Sequence, residues 1–195
     1  MAVRADFFAG FSGDMARFDR AMTLCEAVLA ETPLHAEAMV WHGAGLVFRA
    51  GRAFQAGDAQ AGGELWGRGM GEMGRAVALE SDNVGVRVPR AATLLEATRQ
   101  MPPALAPPLV KLAVGDYEHV LALQEATLNR LSDHARGELL FGLADGWSRL
   151  GDQAKARQYF MRLTTAAPTS GRVAYSTAWL NGQPPTQVDR CVGCH

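Results

Sequence analysis

The sequence predicts an all-α fold assembled from antiparallel helix pairs. Two observations carry this. Apolar residues recur at helical spacing along the chain, and no segment shows sustained strand alternation with turn signals at both ends. The helical runs are separated by short turn-forming segments, among them Gly13-Asp14, Leu150-Gly151-Asp152 and Asn181-Gly182. A chain of 195 residues is long enough to bury a sizeable core. The expected organisation is one helical domain over residues 1–183 and a tail over residues 184–195.

The elements follow in order. Gly13-Asp14 opens a helix that carries Ala21, Cys25 and Val28 and is stopped by Pro33. Cys25 lies in its apolar pattern and reads as a buried, inert thiol. Ala38, Trp41, Gly43, Leu46 and Phe48 mark the next helix. Its partner is expected only at residues 73–83, which leaves residues 51–67 as a glycine-rich insertion in an irregular middle repeat. Residues 88–100 read as helical, with Pro89 tolerable only in the first turn. Residues 101–108, Met-Pro-Pro-Ala-Leu-Ala-Pro-Pro, form a breaker segment. Gly115-Asp116-Tyr117 then opens a helix through Val120, Leu123 and Leu128. The sharpest unit spans residues 134–168. Leu139, Leu140, Leu143, Ala144 and Trp147 share one helical face. A turn at Leu150-Gly151-Asp152 leads to a second face of Ala156, Tyr159, Phe160 and Leu163, closed by Pro168. A last helix over residues 170–180 is stopped by Asn181-Gly182-Gln183-Pro184-Pro185.

The 134–168 pair resembles a tetratricopeptide repeat. That family places a large residue, Leu-Gly and an aromatic on its first helix, then Ala-x3-Phe and a closing Pro on its second. Here Leu140, Leu143, Ala144 and Trp147 stand on the first helix, and Ala156, Phe160 and Pro168 on the second. Ala144 replaces the family's Gly and Leu140 its Trp. Partial copies lie upstream, where residues 76–83 are similar to the family's Ala-Leu-x-x-x-Pro-x-Asn ending with Ser81 in the Pro position. The resemblance implies a right-handed stack of helix pairs whose concave surface holds a protein partner. The physical reason is that each pair has an apolar face it cannot bury alone, and stacking buries it.

Composition narrows the partners. Hydrophobic residues make up 48% and charged residues 20%, and the net charge is −1 from 19 basic and 20 acidic residues. That balance gives no electrostatic case for nucleic acid or an anionic membrane. No apolar run approaches the length of a membrane span. The first residues, Met1 to Phe8, do not read as a secretory signal, because Asp6 interrupts a short apolar run.

The chain ends in Cys191-Val192-Gly193-Cys194-His195. Two cysteines three apart, followed by histidine, have the C-x-x-C-H spacing that attaches a c-type haem. Cys191 and Cys194 would anchor haem c through thioethers, and His195 would be the proximal ligand to the iron. The alternative is a plain protein-binding module whose tail is inert or holds a soft metal, with the fourth zinc ligand supplied from elsewhere. Attached haem implies a periplasmic or secreted protein, with Met1-Ala2 a start placed before a mature chain. Without haem, the cytoplasm is the expectation. Candidates for the sixth iron ligand are His35, His42, His119, His134, Met101 and Met161. Of these, His35 reads as an exposed turn residue and His119 as solvated.

Gly69-Met70-Gly71-Glu72-Met73-Gly74 matches G-x-G-x-x-G, but no strand precedes it. It reads instead as a glycine-rich helix allowing close helix contact. Trp41, Phe48, Phe54 and Trp66 read as core packing, and the neighbouring Arg49, Arg52, Arg68 and Arg75 as a solvated basic face. No nucleophile-base constellation or phosphate loop is found, so an enzyme is not expected.

Overall fold

The computed structural model describes residues 3–184, so Cys191, Cys194 and His195 lie outside the described residues. Among those described, the chain is all helical: α1 Arg4–Phe11, α2 Met15–Glu31, α3 Ala36–Gln55, α4 Ala59–Leu79, α5 Val84–Ala97, α6 Ala106–Gln124, a 3-10 helix Glu125–Arg130, α7 Asp133–Arg149, α8 Gln153–Ala166 and α9 Val173–Leu180. The chain divides into two compact units between Thr93 and Leu94, within α5.

In the first unit, α1 is an element that sequence periodicity did not single out. Its first turn carries Arg4 and Asp6, and Phe7, Phe8 and Phe11 follow. Phe7 stacks on Trp41 of α3 at 5.4 Å between ring centroids, and Phe11 meets Phe48 at 5.1 Å. Asp6 is turned inward and receives Arg17 Nε at 2.8 Å and Arg20 Nε at 2.7 Å from α2. α2 buries Phe18, Ala21, Met22 and Cys25, the i, i+3, i+4, i+7 stripe of an amphipathic helix. α3 is buried almost continuously from Ala36 to Val47.

The expected insertion over residues 51–67 is not one. α3 continues to Gln55 and α4 starts at Ala59, so only Ala56-Gly57-Asp58 lies between helices. The reason is a close crossing. A Cβ on Gly43 would fall 2.8 Å from the Gly69 carbonyl oxygen, and one on Gly69 would fall 2.7 Å from that of Gly43. Glycine at both positions lets the backbones touch, and this contact outweighs the helix-weakening effect of glycine, about 1 kcal/mol per residue. Gly43 and Gly69 lie at similar distances along the chain from Gly57, so α3 and α4 run antiparallel.

α5 starts at Val84, because the Asn83 side chain accepts from Gly85 N at 2.7 Å and its carbonyl from Val86 N and Arg87 N. Pro89 therefore falls in the second turn rather than the first, where it forgoes the bond to the Gly85 carbonyl.

In the second unit, the breaker segment is shorter than expected. Pro107 and Pro108 sit in the first turn of α6, where a missing N–H removes no helical bond. α6 thus begins at Ala106, and Gly115-Asp116-Tyr117 lies inside it rather than opening it. The α7–α8 pair matches the expected unit, with Leu140, Leu143, Ala144, Ala156, Phe160 and Leu163 buried. α9 begins at Val173, three residues later than expected.

Local geometry repeats along the chain. The turns α1–α2, α3–α4 and α7–α8 each place glycine at positive φ (Gly13 +116°, Gly57 +84°, Gly151 +87°), a conformation that other residues rarely adopt. Each following aspartate caps the next helix: Asp14 accepts from Arg17 N at 3.1 Å, Asp58 from Ala61 N at 2.9 Å and Asp152 from Lys155 N at 3.0 Å. Each aspartate N–H also donates to the carbonyl five residues back, in Ala9, Ala53 and Trp147. The helices that follow end alike. Their C-caps, Thr32, Glu80 and Ala167, have φ of −132°, −134° and −137° with ψ of 82°, 75° and 59°.

Candidate functional site

The described residue nearest in sequence to the C-x-x-C-H motif is Pro184, seven residues before Cys191. The motif's own geometry lies outside the described residues, so the site is built from the element that leads into it. That element is α9, the sequence Val-Ala-Tyr-Ser-Thr-Ala-Trp-Leu. Its inner residues complete the α7–α8 core. Trp179 meets Phe160 at 4.6 Å between centroids, and Tyr175 meets Phe141 edge-on at 5.0 Å. Trp179 Nε1 donates to Ser148 Oγ at 3.3 Å. Arg157 Nη1 donates to the Leu180 carbonyl at 3.4 Å, and Gly182 at φ +68° ends the helix.

The start of α9 is fixed by charge. Arg172 grips Glu138 of α7 through Nε at 2.6 Å and Nη2 at 2.8 Å, with its guanidinium 4.5 Å from the Phe141 ring centre. This bidentate pair is largely buried, a setting where both geometry and charge are satisfied. Asp133 accepts from both Thr169 N and Thr169 Oγ1 ahead of α9 and pairs with Arg136. Those bonds hold the Asp133 carboxyl down at about 2, with the Thr169 hydroxyl the largest cause.

The candidate sixth ligands separate by environment. His42 is buried on α3, with Nδ1 2.6 Å from Glu72 Oε2 of α4 and Nε2 3.5 Å from Glu26 Oε1 of α2. Both ring nitrogens are thus engaged. His35 is not an exposed turn residue. It is half-buried and caps α3, its Nδ1 accepting from Ala38 N at 3.3 Å. His119 is likewise half-buried, inside α6 rather than at a helix opening, because α6 starts nine residues earlier than Gly115. His134 is exposed in the first turn of α7, Met101 is half-buried between α5 and α6, and Met161 on α8 is 52% exposed.

Cys25 is fully buried, and burial pushes its thiol up to about 12. It is held in the neutral thiol form. Among the described residues, no group of three or more His, Cys, Asp and Glu side chains is arranged to hold a metal ion. The aromatic run is packing, as expected for Trp41 and Phe48, while Phe54 stays 45% exposed. Arg68 and Arg75 are exposed, and Arg49 pairs with Asp19 at 2.9 Å.

Two polar clusters escaped the sequence reading. One is the Glu26–His42–Glu72 bridge. The other joins Asp145 to Arg99 at 2.7 Å and to Arg149 at 3.8 Å, while Arg149 also donates to the Leu95 carbonyl and to Thr98 Oγ1. His42 and Glu72 lie 30 residues apart in sequence and Arg99 and Asp145 lie 46 apart, while Asp145 and Arg149 share α7. No spacing rule reaches them. Among the described residues, no helix is long and apolar enough to cross a membrane. Comparison with protein-family models, with curated proteins and with solved structures finds no match to this chain.

Proposed function

We propose that this protein is a tetratricopeptide-like repeat scaffold that carries one covalently attached c-type haem at its C-terminal motif. It transfers or senses electrons there while its helical surface holds a protein partner. The observation that carries the haem reading is the order Cys191-x-x-Cys194-His195. The donor set suits the group: two thiols spaced for two vinyl substituents, and an imidazole adjacent to the second. Each thiol adds its S–H across one vinyl double bond, sulfur to one carbon and hydrogen to the other, with no leaving group and no net oxidation. His195 then supplies the proximal nitrogen. Bound haem supplies one-electron chemistry at iron.

The scaffold half of the proposal is supported by the recurring Gly-Asp turns and the matching helix ends. Three helix pairs with one turn chemistry are what stacked repeats require. The reading places the mature protein in the periplasm or outside the cell.

The test is a precursor carrying a secretion signal, made together with haem-maturation machinery. A haem-stained band that survives a denaturing gel is expected, and it is lost in Cys191→Ala and in Cys194→Ala. A colourless product that still captures its partner after deletion of residues 191–195 would support the plain binding module instead.

A further inference from the structure

We propose that the outward face of α6 is a self-association surface, on which a second copy of this chain packs its own α6 antiparallel about Gly115. α6 turns Val110, Ala113, Val114, Tyr117, Val120 and Leu121 into its own unit. The opposite side is left to solvent, and it is largely apolar. Pro108, Leu112, Gly115 and Ala122 are exposed there, and His119 is half-buried. Their spacing of four, three, four and three residues is the repeat of a two-stranded helical seam. Leu105 and Leu123, both exposed, line one flank of this stripe. A Cβ on Gly115 would meet nothing within 4 Å. Glycine there weakens the helix by about 1 kcal/mol against alanine, with no packing gain in the single chain. At the centre of a crossing between two copies it lets the backbones approach.

Charge selects the occupant. The other flank carries exposed Lys111 and Glu118, one heptad apart and opposite in sign. Among the described residues neither has an ion-pair partner, whereas Glu125 beyond them is taken by Arg162 at 2.5 Å. The midpoint between Lys111 and Glu118 falls beside Gly115. A two-fold axis there sets the second α6 antiparallel, so Lys111 of each copy faces Glu118 of the other. Pro108 then lies opposite Ala122. A parallel pair would instead lay each charge beside the leucine flank. The surface is therefore self-complementary, as a two-fold contact requires. Its size sets the strength. At 19 residues, α6 is about 28 Å long. Two such faces bury about 800–1,000 Å², the low end of specific interfaces. The dimer is thus a weak one, with a Kd on the order of 10–100 μM.

Sedimentation equilibrium of the full chain tests this, in reducing buffer and from about 5 to about 500 μM, a range that brackets the expected Kd. The weight-average mass is expected to rise from 20.9 kDa toward twice that value. Leu112→Glu should hold the mass at that of one chain while leaving the helical circular dichroism unchanged. Should that variant lose helicity, the charge-swap series alone decides. Lys111→Glu and Glu118→Lys should each weaken dimerisation about tenfold, because each turns both pairs into like charges. The double swap Lys111→Glu/Glu118→Lys should restore it. A single-chain mass across the whole range overturns the proposal, as does dimerisation that a folded Leu112→Glu leaves untouched. Failure of the double swap to rescue overturns the antiparallel register.

Discussion

Asp6 and Asp133 show how single carboxylates fasten neighbouring elements in each unit. Asp6 is held down at about 2, first by the hydrogen bond from Arg20 and then by that from Arg17. Asp133 is held down at about 2 by Thr169 and Arg136. Both lie below the ordinary carboxylate value of 3.8, so each favours the folded state when ionised. The stabilisation is complete above that value and is lost as pH falls through about 2. Thermal melts are expected to move to lower temperature between about pH 4 and pH 2. Asp133→Asn, which does not titrate, should make that fall shallower, and an unchanged pH slope would remove Asp133 from the account. Neither role was legible in the sequence. Asp6 looked like an interruption of an apolar start, and its arginine partners lie 11 and 14 residues away. Cys25 was legible, because a small apolar side chain at helical spacing needs no distant partner to explain its burial.

At the scale of elements, glycine was the residue that misled and then explained. A glycine-rich run lowers the expectation of helix, so residues 51–67 read as an insertion. What restores the helix is Gly43, met across the crossing by Gly69, and that pairing is invisible without the fold. The four Gly-Asp steps make the same point. Three are turns, while the step at Gly115-Asp116 lies inside α6, because buried Val110, Ala113, Val114, Tyr117, Val120 and Leu121 keep one helical register across it. The glycines of α3 and α4 are expected to split into two classes in urea denaturation. Gly43→Ala and Gly69→Ala push a methyl into backbone and should cost about 1–3 kcal/mol. Gly63→Ala, Gly71→Ala and Gly74→Ala meet open space and should stabilise by up to about 1 kcal/mol each. Destabilisation by the second class equal to that of the first would contradict the crossing.

For the whole molecule, the all-helical class and the 134–168 pair were legible because helical periodicity and turn chemistry are local. The boundaries of α4, α5 and α6 were not, since each depends on a partner or a cap: Gly43 for α4, Asn83 for α5, and the tolerance of proline in a first turn for α6. The recurring Gly-Asp turns give the chain a repeated local plan, and the uncharged α9 ends the described part of it without the polar face a final helix ordinarily shows. In the proposed reading, the tail cysteines and His195 would carry the haem beyond that end. The measurement that tests this most directly is haem staining of the matured full chain on a denaturing gel. The account predicts a covalently stained band that vanishes in Cys191→Ala/Cys194→Ala. An unstained band from a properly matured and exported chain would contradict it.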